Sequence, residues 1–343
     1  MSPRSRRHGV PPPAVLGVLV AMLLALPAAA QDFSKVEVES TKVAEGVYAL
    51  KGAGGNLGLV VGADRAFLID DQYAPMVPKI RAAIAAITDK PVSFVLNTHW
   101  HGDHTGGNEA FAESGTLVVA HDNVRTRLSS DQVMAAFDRT VPAAPKGALP
   151  VITFNDQITF HVGGHTVRTI HIPSAHTDGD AIVHLPETNV IHTGDLVFYG
   201  LYPVVDYSNG GSLKGMADAT ERVLQSSAPV YLQAQAYLLK AQIYGILYRD
   251  TAIAITQLER AELILQDETD PFSLQLYSDV LQNFAQAYNQ LGHVQKAIPY
   301  AERSLALALA AEQPEAELKA RITLGRLALQ NNAYNQAYQN FNQ

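Results

Sequence analysis

The stretch Asn97-Thr98-His99-Trp100-His101-Gly102-Asp103-His104-Thr105-Gly106-Gly107 decides how this chain is read. It follows an apolar run at residues 92–96, so it lies where a strand opens into a loop and then a helix. Imidazoles two positions apart on such a turn can converge on one cation. Asp103 and His104 then face a second cation close by. Gly102, Gly106 and Gly107 remove side chains where the loop turns tightly. The chain has no cysteine, so a metal must be held by imidazole and carboxylate. That donor set suits zinc and also admits iron or manganese.

Working outward, two later stretches share this setting. Ser174-Ala175-His176-Thr177-Asp178-Gly179-Asp180 follows a strand ending at Ile172 and offers His176 as a third imidazole. Ile191-His192-Thr193-Gly194-Asp195 ends another strand and offers Asp195 as a bridge between two metals. A single His or Asp after a strand is more often a turn or capping residue; the order and spacing of all three stretches favour ligation. The other histidines are read as structural: His121 at a helix start, and His161, His165, His171 and His184 in or beside strands. His192, beside the Asp195 turn, is read as either a brace for the site or a bystander.

Strands are expected at residues 36–38, 47–51, 57–61, 66–69, 92–97, 116–120, 158–162, 165–172, 181–185 and 190–192. Helices are expected at 75–87, 106–112, 122–128, 131–137 and 212–224, which makes an α/β layered domain. Composition then changes near residue 226: four glutamines occur between 31 and 224, but sixteen from 225 to 343. Ten of the twelve histidines lie between 99 and 192. Beyond the break, segments 231–247, 251–266, 272–290, 294–311, 315–330 and 334–343 read as helical hairpins. Gln290-Leu291-Gly292-His293 is loosely echoed at residues 329–332. That spacing of about forty resembles tetratricopeptide (TPR) repeats with extended helices.

Residues 40–225 resemble the metallo-β-lactamase superfamily, whose H-x-H-x-D-H motif stands at residues 99–104 without departure. The resemblance implies an αβ/βα sandwich with metals at the upper rim of its two sheets. It implies His99, His101 and His176 on one zinc, Asp103 and His104 on a second, and Asp195 between them. Asp70, closing Phe67-Leu68-Ile69-Asp70, matches the superfamily's first aspartate, which orients the ligand loop. Tyr202, Asp206, Gly210, Gly211 and Ser212 fall in a loop where substrate contacts are common in that fold. The implied reaction is hydrolysis of a small carbonyl substrate (β-lactam, lactone, ester or thioester) by a metal-bound hydroxide. The cations also take up charge on the substrate oxygen, and Asp103 orients the nucleophile and shuttles a proton.

The resemblance stops short of the superfamily's last strand and its Pro-Gly-His-Gly-like turn, because residues 225–229 run straight into helices. His293 sits far beyond the break and is not counted as a ligand. The second metal is therefore expected to be weakened by one lost imidazole, and the second sheet to keep an open edge that helix 231–247 is placed to cover. The expected architecture is an α/β sandwich, C-terminally truncated, over residues 31–228, followed by an all-α TPR-like domain over 229–343. Two alternatives stand beside the zinc hydrolase. One is a catalytically impaired fusion acting as a scaffold, its repeats taking a peptide or protein partner. The other is an oxidoreductase with iron in place of zinc.

Net charge is −8, and no basic run occurs past the N-terminus, so nucleic acid is not an expected partner. Arg4, Arg6 and Arg7, the apolar run 14–26 and the small residues Ala28-Ala29-Ala30 read as a signal peptide over residues 1–30. The apolar run is too short for a stable membrane span. A periplasmic or secreted protein is the expectation.

Overall fold

Valine, leucine, isoleucine and phenylalanine, prominent in segments of three to seven residues, become the strands of two sheets in this computed structural model. It describes residues 32–197, 204–224, 230–247 and 249–342. The expected signal peptide, the composition break at 225–229 and Tyr202 lie outside these residues.

The first sheet has seven strands. β1 (Glu39–Ala44), β2 (Val47–Lys51), β3 (Leu57–Val61) and β4 (Ala66–Ile69) form an antiparallel meander. β5 (Val92–Asn97) and β6 (Leu117–His121) then continue it in parallel beyond β4. The hairpin β7 (Gln132–Met134) and β8 (Arg139–Val141) stands apart, and β9 (Ile152–Phe154) closes the sheet beside β6. The second sheet is the antiparallel run β10 (Gln157–Val162), β11 (His165–His171), β12 (Ala181–Leu185) and β13 (Val190–His192). Val60, Phe67, Leu96 and Val119 meet Val162, Val167, Val183 and Leu185 between the sheets. Phe67, Phe94 and Phe160 interlock there, with ring centroids 4.9–5.9 Å apart. Every residue of β4 is buried, as a strand covered on both faces requires.

α1 (Val77–Ile87), α2 (Gly102–Thr105), α3 (Asn108–Glu113) and α4 (Asp122–Leu128) fill the connections of the first sheet. The helix expected at 131–137 is instead the β7–β8 hairpin. A 3₁₀ turn at Ala135–Phe137 and left-handed Asp138 (φ 47°) reverse the chain there. Register explains the difference: on the inner face Met134 and Val141 pack against Trp100, Val124 and Leu128, whereas a helix would bring Phe137, here exposed, onto the side of Met134. Residues 36–38 are not in a strand. β1 starts at Glu39, and its almost entirely exposed residues leave no alternation to read.

The remainder is all-helical: α5 (Leu213–Leu224), α6 (Val230–Gln242) running into a π-helical turn at Ile243–Leu247, and α7 (Thr251–Leu265). α8 (Pro271–Gln290), α9 (Val294–Ala310), α10 (Pro314–Gln330) and α11 (Tyr334–Phe341) follow. Asp250 and Asp270 cap α7 and α8 by accepting from main-chain N–H groups of the first turn. Leu258, Leu265, Leu276, Leu281 and Phe284 form the main helical core. α6 belongs to two cores at once. Leu238 joins that cluster, while Leu239 and the adjoining Ile243 pack on Ile172, Ala175 and Met216 of the sandwich and α5. Among the described residues no helix is long and apolar enough to cross a membrane.

Candidate metal centre

The ends of β4, β5 and β11, with the turn after β13, bring the sequence-flagged residues to one place. His99 Nε2 lies 3.1 Å from His101 Nδ1, which lies 2.9 Å from His176 Nε2. These three nitrogens form one compact donor group, and His99, His104 and Asp195 form a second. A tetrahedral zinc ion with arms of about 2.0–2.1 Å spaces its ligand atoms about 3.3–3.4 Å apart, within a few tenths of an ångström of these distances. His104 Nε2 is buried, 3.2 Å from Asp195 Oδ1 and 3.6 Å from Asp103 Oδ2, and makes no hydrogen bond among the described residues.

Each ring is turned by a partner on its outer side. His99 Nδ1 meets Thr98 Oγ1 at 3.1 Å, and that hydroxyl in turn donates to Asp70 Oδ2 at 2.8 Å. His101 Nε2 meets Asp206 Oδ2 at 3.0 Å, His176 Nδ1 meets the Val204 carbonyl at 2.7 Å, and His104 Nδ1 meets Asp70 Oδ2 at 2.8 Å. Those acceptors take the ring protons on the outer side, so the four remaining nitrogens face a common space, with lone pairs where the ring is neutral. Burial, reinforced by the neighbouring imidazoles, holds His99 well below the usual histidine range. Burial and His101 bring His176 down to about 4. Neutral imidazole is the form a metal takes. Burial opposes charge on His104, but the Asp70 and Asp195 carboxylates outweigh it and push His104 well above its ordinary value. Burial also works against Asp195, which the His104 imidazole nevertheless holds down at about 2. The second group thus calls for a positive charge, from a proton or from a metal ion.

The loop after β4 is the hub of this arrangement. Asp70 (φ 61°) and Gln72 (φ 55°) are both left-handed, a conformation that costs about 1–2 kcal/mol in a residue with a side chain. Asp70 Oδ1 accepts from Thr98 N at 2.7 Å and Asp71 Oδ1 from Gly107 N at 2.8 Å. Gln72 accepts from Ala53 N and donates to the Gly55 carbonyl. The loop carrying Gly54 and Gly55 thereby lies against Asp103 and His104. A Cβ on Gly55 would sit 2.2 Å from His104 Cε1, and one on Gly54 (φ 85°) 2.5 Å from Asp103 Cβ.

Beside this geometry stands a sequence match: the profile of the Metallo-beta-lactamase superfamily fits residues 50–272. The chain belongs to that superfamily. Its relatives include a hydroxyacylglutathione hydrolase of Erythrobacter litoralis, 32% identical over 108 residues, covering 31% of this chain and 35% of that protein. An atrochrysone carboxyl ACP thioesterase of Aspergillus terreus is 30% identical over 171 residues, covering 49% and 45%. The chain therefore spans about a third to a half of the length of these curated relatives. Among solved structures, a metallo-beta-lactamase from Pontibacter korlensis aligns over 55% of this chain and 86% of its own, at 24% identity and a TM-score of 0.44.

For a superfamily member, Asp206 stands out. It was flagged only as part of a loop with substrate contacts, but it is buried against His101 and fixed by Asn209 Nδ2 at 2.7 Å. Its main-chain N–H donates to the His176 carbonyl at 2.8 Å, so one residue ties two imidazole loops together. Gly211 packs on the His176 backbone, where a Cβ would lie 2.3 Å from the carbonyl oxygen. His192 is a brace: its two ring nitrogens engage the Asn56 carbonyl and Gly194 N. His121 stacks on His171 at 3.6 Å and accepts from Asn123 N, capping α4. His293 lies in the turn before α9, away from the centre. Tyr73 was not singled out in the sequence. Its phenol is raised by burial and by the nearby Asp103 and Asp195 carboxylates, so it keeps its proton at the edge of the site.

Proposed function

We propose that this protein is a zinc-dependent hydrolase of small carbonyl substrates, with esters and thioesters first among them. The observation that carries the reading is the set of inward-facing ring nitrogens of His99, His101, His104 and His176, each ring held by an acceptor on its other side. His99, His101 and His176 are assigned to one ion, Asp103 and His104 to a second, and Asp195 to both. When bound, such ions acidify a water ligand and polarise a carbonyl. Asp103, partly exposed at the rim, accepts a proton from the attacking water and returns it to the leaving group. The Tyr73 hydroxyl is assigned as a donor to the substrate oxygen. The names of the relatives support the substrate class, since one is a thioesterase and the other a hydrolase of an acyl-glutathione.

With His104 as the one imidazole assigned to the second ion, the first ion is proposed to bind more tightly than the second. The helical part is proposed to be a TPR-like layer, since Pro271 and Pro314 each open the first helix of a hairpin. Export is proposed on residues 1–30 alone. The test is zinc content of the purified full chain by elemental analysis, together with turnover of an aryl ester, an acyl thioester, a lactone and nitrocefin. Turnover lost on chelation and restored by zinc is expected. Protein that retains no zinc and cleaves none of the four sinks the reading; iron in place of zinc moves it towards redox chemistry.

A further inference from the structure

The β7–β8 hairpin carries an unused cation beside the metal centre, and strand register fixes its side. Gln132 pairs with Val141 and Met134 with Arg139, and directly paired residues share one face of a two-stranded sheet. On that face Gln132 is buried, while Met134 and Val141 pack against Trp100, Val124 and Leu128. Trp100 stands between His99 and His101, its ring 4.7 Å from the His101 imidazole. Arg139 is the member of this face next to the turn, beyond the packed residues, and it is exposed. It makes no ion pair or hydrogen bond among the described residues, although Asp138 precedes it on the turn.

The hairpin is tied to the loop that braces the first donor group. Asn209 Nδ2 donates to the Val133 carbonyl at 3.0 Å, and Ala135 N donates to Ser208 Oγ at 3.1 Å. Asn209 also holds Asp206, the acceptor for His101. At the hairpin root, Arg127 donates to Gln132 Oε1 at 3.2 Å and to Asp178 Oδ2 at 2.6 Å. Asp178 lies two residues past His176, so both imidazole loops help to hold the hairpin at the rim. Tyr73 belongs to the same rim: a Cβ on Gly54 would touch both Asp103 and the Tyr73 ring. Burial chiefly raises the Tyr73 phenol; Asp103 and Asp195 push it further up, and Arg139 draws it down. One hydroxyl at the edge of the centre is therefore within electrostatic reach of Arg139 and of both carboxylates.

We propose that Arg139 selects substrates that carry a carboxylate near the bond to be cleaved, holding that anion at the mouth of the metal centre. This rests on the hydrolase reading and adds the charge of the substrate to it. A guanidinium offers paired donors in the fork geometry that a carboxylate accepts. A neutral ester leaves that fork unused, and an amine is repelled by it.

The experiment measures hydrolysis of meta- and para-acetoxybenzoate by the full chain, each beside the acetoxybenzamide of the same shape. At least one carboxylate is preferred in kcat/KM by about fivefold or more, the value of a well-formed exposed ion pair. The difference lies in KM, as for an interaction made equally with substrate and transition state. Arg139→Gln removes the preference and Arg139→Lys keeps part of it, with melting curves confirming that both variants fold. A second measurement needs no turnover: calorimetric titration with the ketone analogues, in which a methylene group replaces the ester oxygen. The charged analogue binds more tightly than the neutral one, and Arg139→Gln removes that difference too. If no ester is cleaved but this binding difference stands, the hydrolase reading falls and the anion site remains. A preference that survives Arg139→Gln overturns the proposal. So do charged and neutral forms treated alike in hydrolysis or, where no ester turns over, alike or unbound at millimolar concentration in the titration.

Discussion

Replacing Asp206 with alanine should weaken zinc binding by about 10- to 100-fold. The magnitude follows from what the carboxylate does. Asp206 is 5% exposed, and its Oδ2 takes the His101 Nε2 proton at 3.0 Å while Asn209 holds it from the other side at 2.7 Å. A hydrogen bond to a charged acceptor is worth about 1.5–3 kcal/mol, which converts to roughly a 10- to 150-fold change in an equilibrium constant. Without the carboxylate, His101 keeps a buried N–H with no acceptor, and nothing holds its Nδ1 towards His99 and His176. Asparagine keeps an accepting oxygen but loses the charge, so its effect should be smaller. The assay is competition against a chromophoric chelator on metal-stripped full chain, with melting curves run in parallel. An alanine variant that folds and binds zinc as tightly as the unaltered protein would refute the reasoning.

Two other outcomes test separate parts of the molecule. Gly55→Ala places a methyl 2.2 Å from His104 Cε1; the ring must move, so zinc stoichiometry should fall relative to the unaltered protein and turnover drop by about tenfold or more, as elemental analysis and initial rates would show. Burial raises Asp279 to about 6 from an ordinary 3.8, against the pull of Lys319. A raised acid holds its proton more tightly folded than unfolded, so the stability it lends is present below about pH 4 and lost as pH climbs through about 6. Asp279→Asn mimics the protonated form and should be more stable at about pH 8, by on the order of 1–3 kcal/mol, with the gap closing below about pH 4; equal denaturation midpoints at both pH values would count against it.

What could be read from the sequence was whatever is local along the chain. The ligand stretch from His99 to His104 needs only six consecutive residues and one preceding strand, and the fold around it follows from runs such as β4, wholly apolar, and β5, apolar but for Ser93 and its last residue Asn97. Asp70 was found through the family resemblance, which places an aspartate at the end of such a run. Asp206 carried no comparable signal: its partner is 105 residues away, and nothing in its own neighbourhood separates a buried carboxylate from a loop acid. The β7–β8 hairpin was missed because its strands are three residues long, too short to show a period, and only its packing on Trp100 decides between helix and strand. Tyr73 is likewise visible only once the Gly54 loop and Asp103 are folded around it.

Leu239 and Ile243 insert among Ile172, Ala175 and Met216, so the wall behind the β11 end is supplied by residues that sequence composition assigns to the other half. Cutting the chain where glutamine becomes abundant would leave that wall missing and wet, a few residues from the backbone that carries His176. The two halves are therefore tied as lintel and doorpost are: whatever loosens the first long helix after the break will be felt at the metal-binding rim before it is felt at the chain's far end.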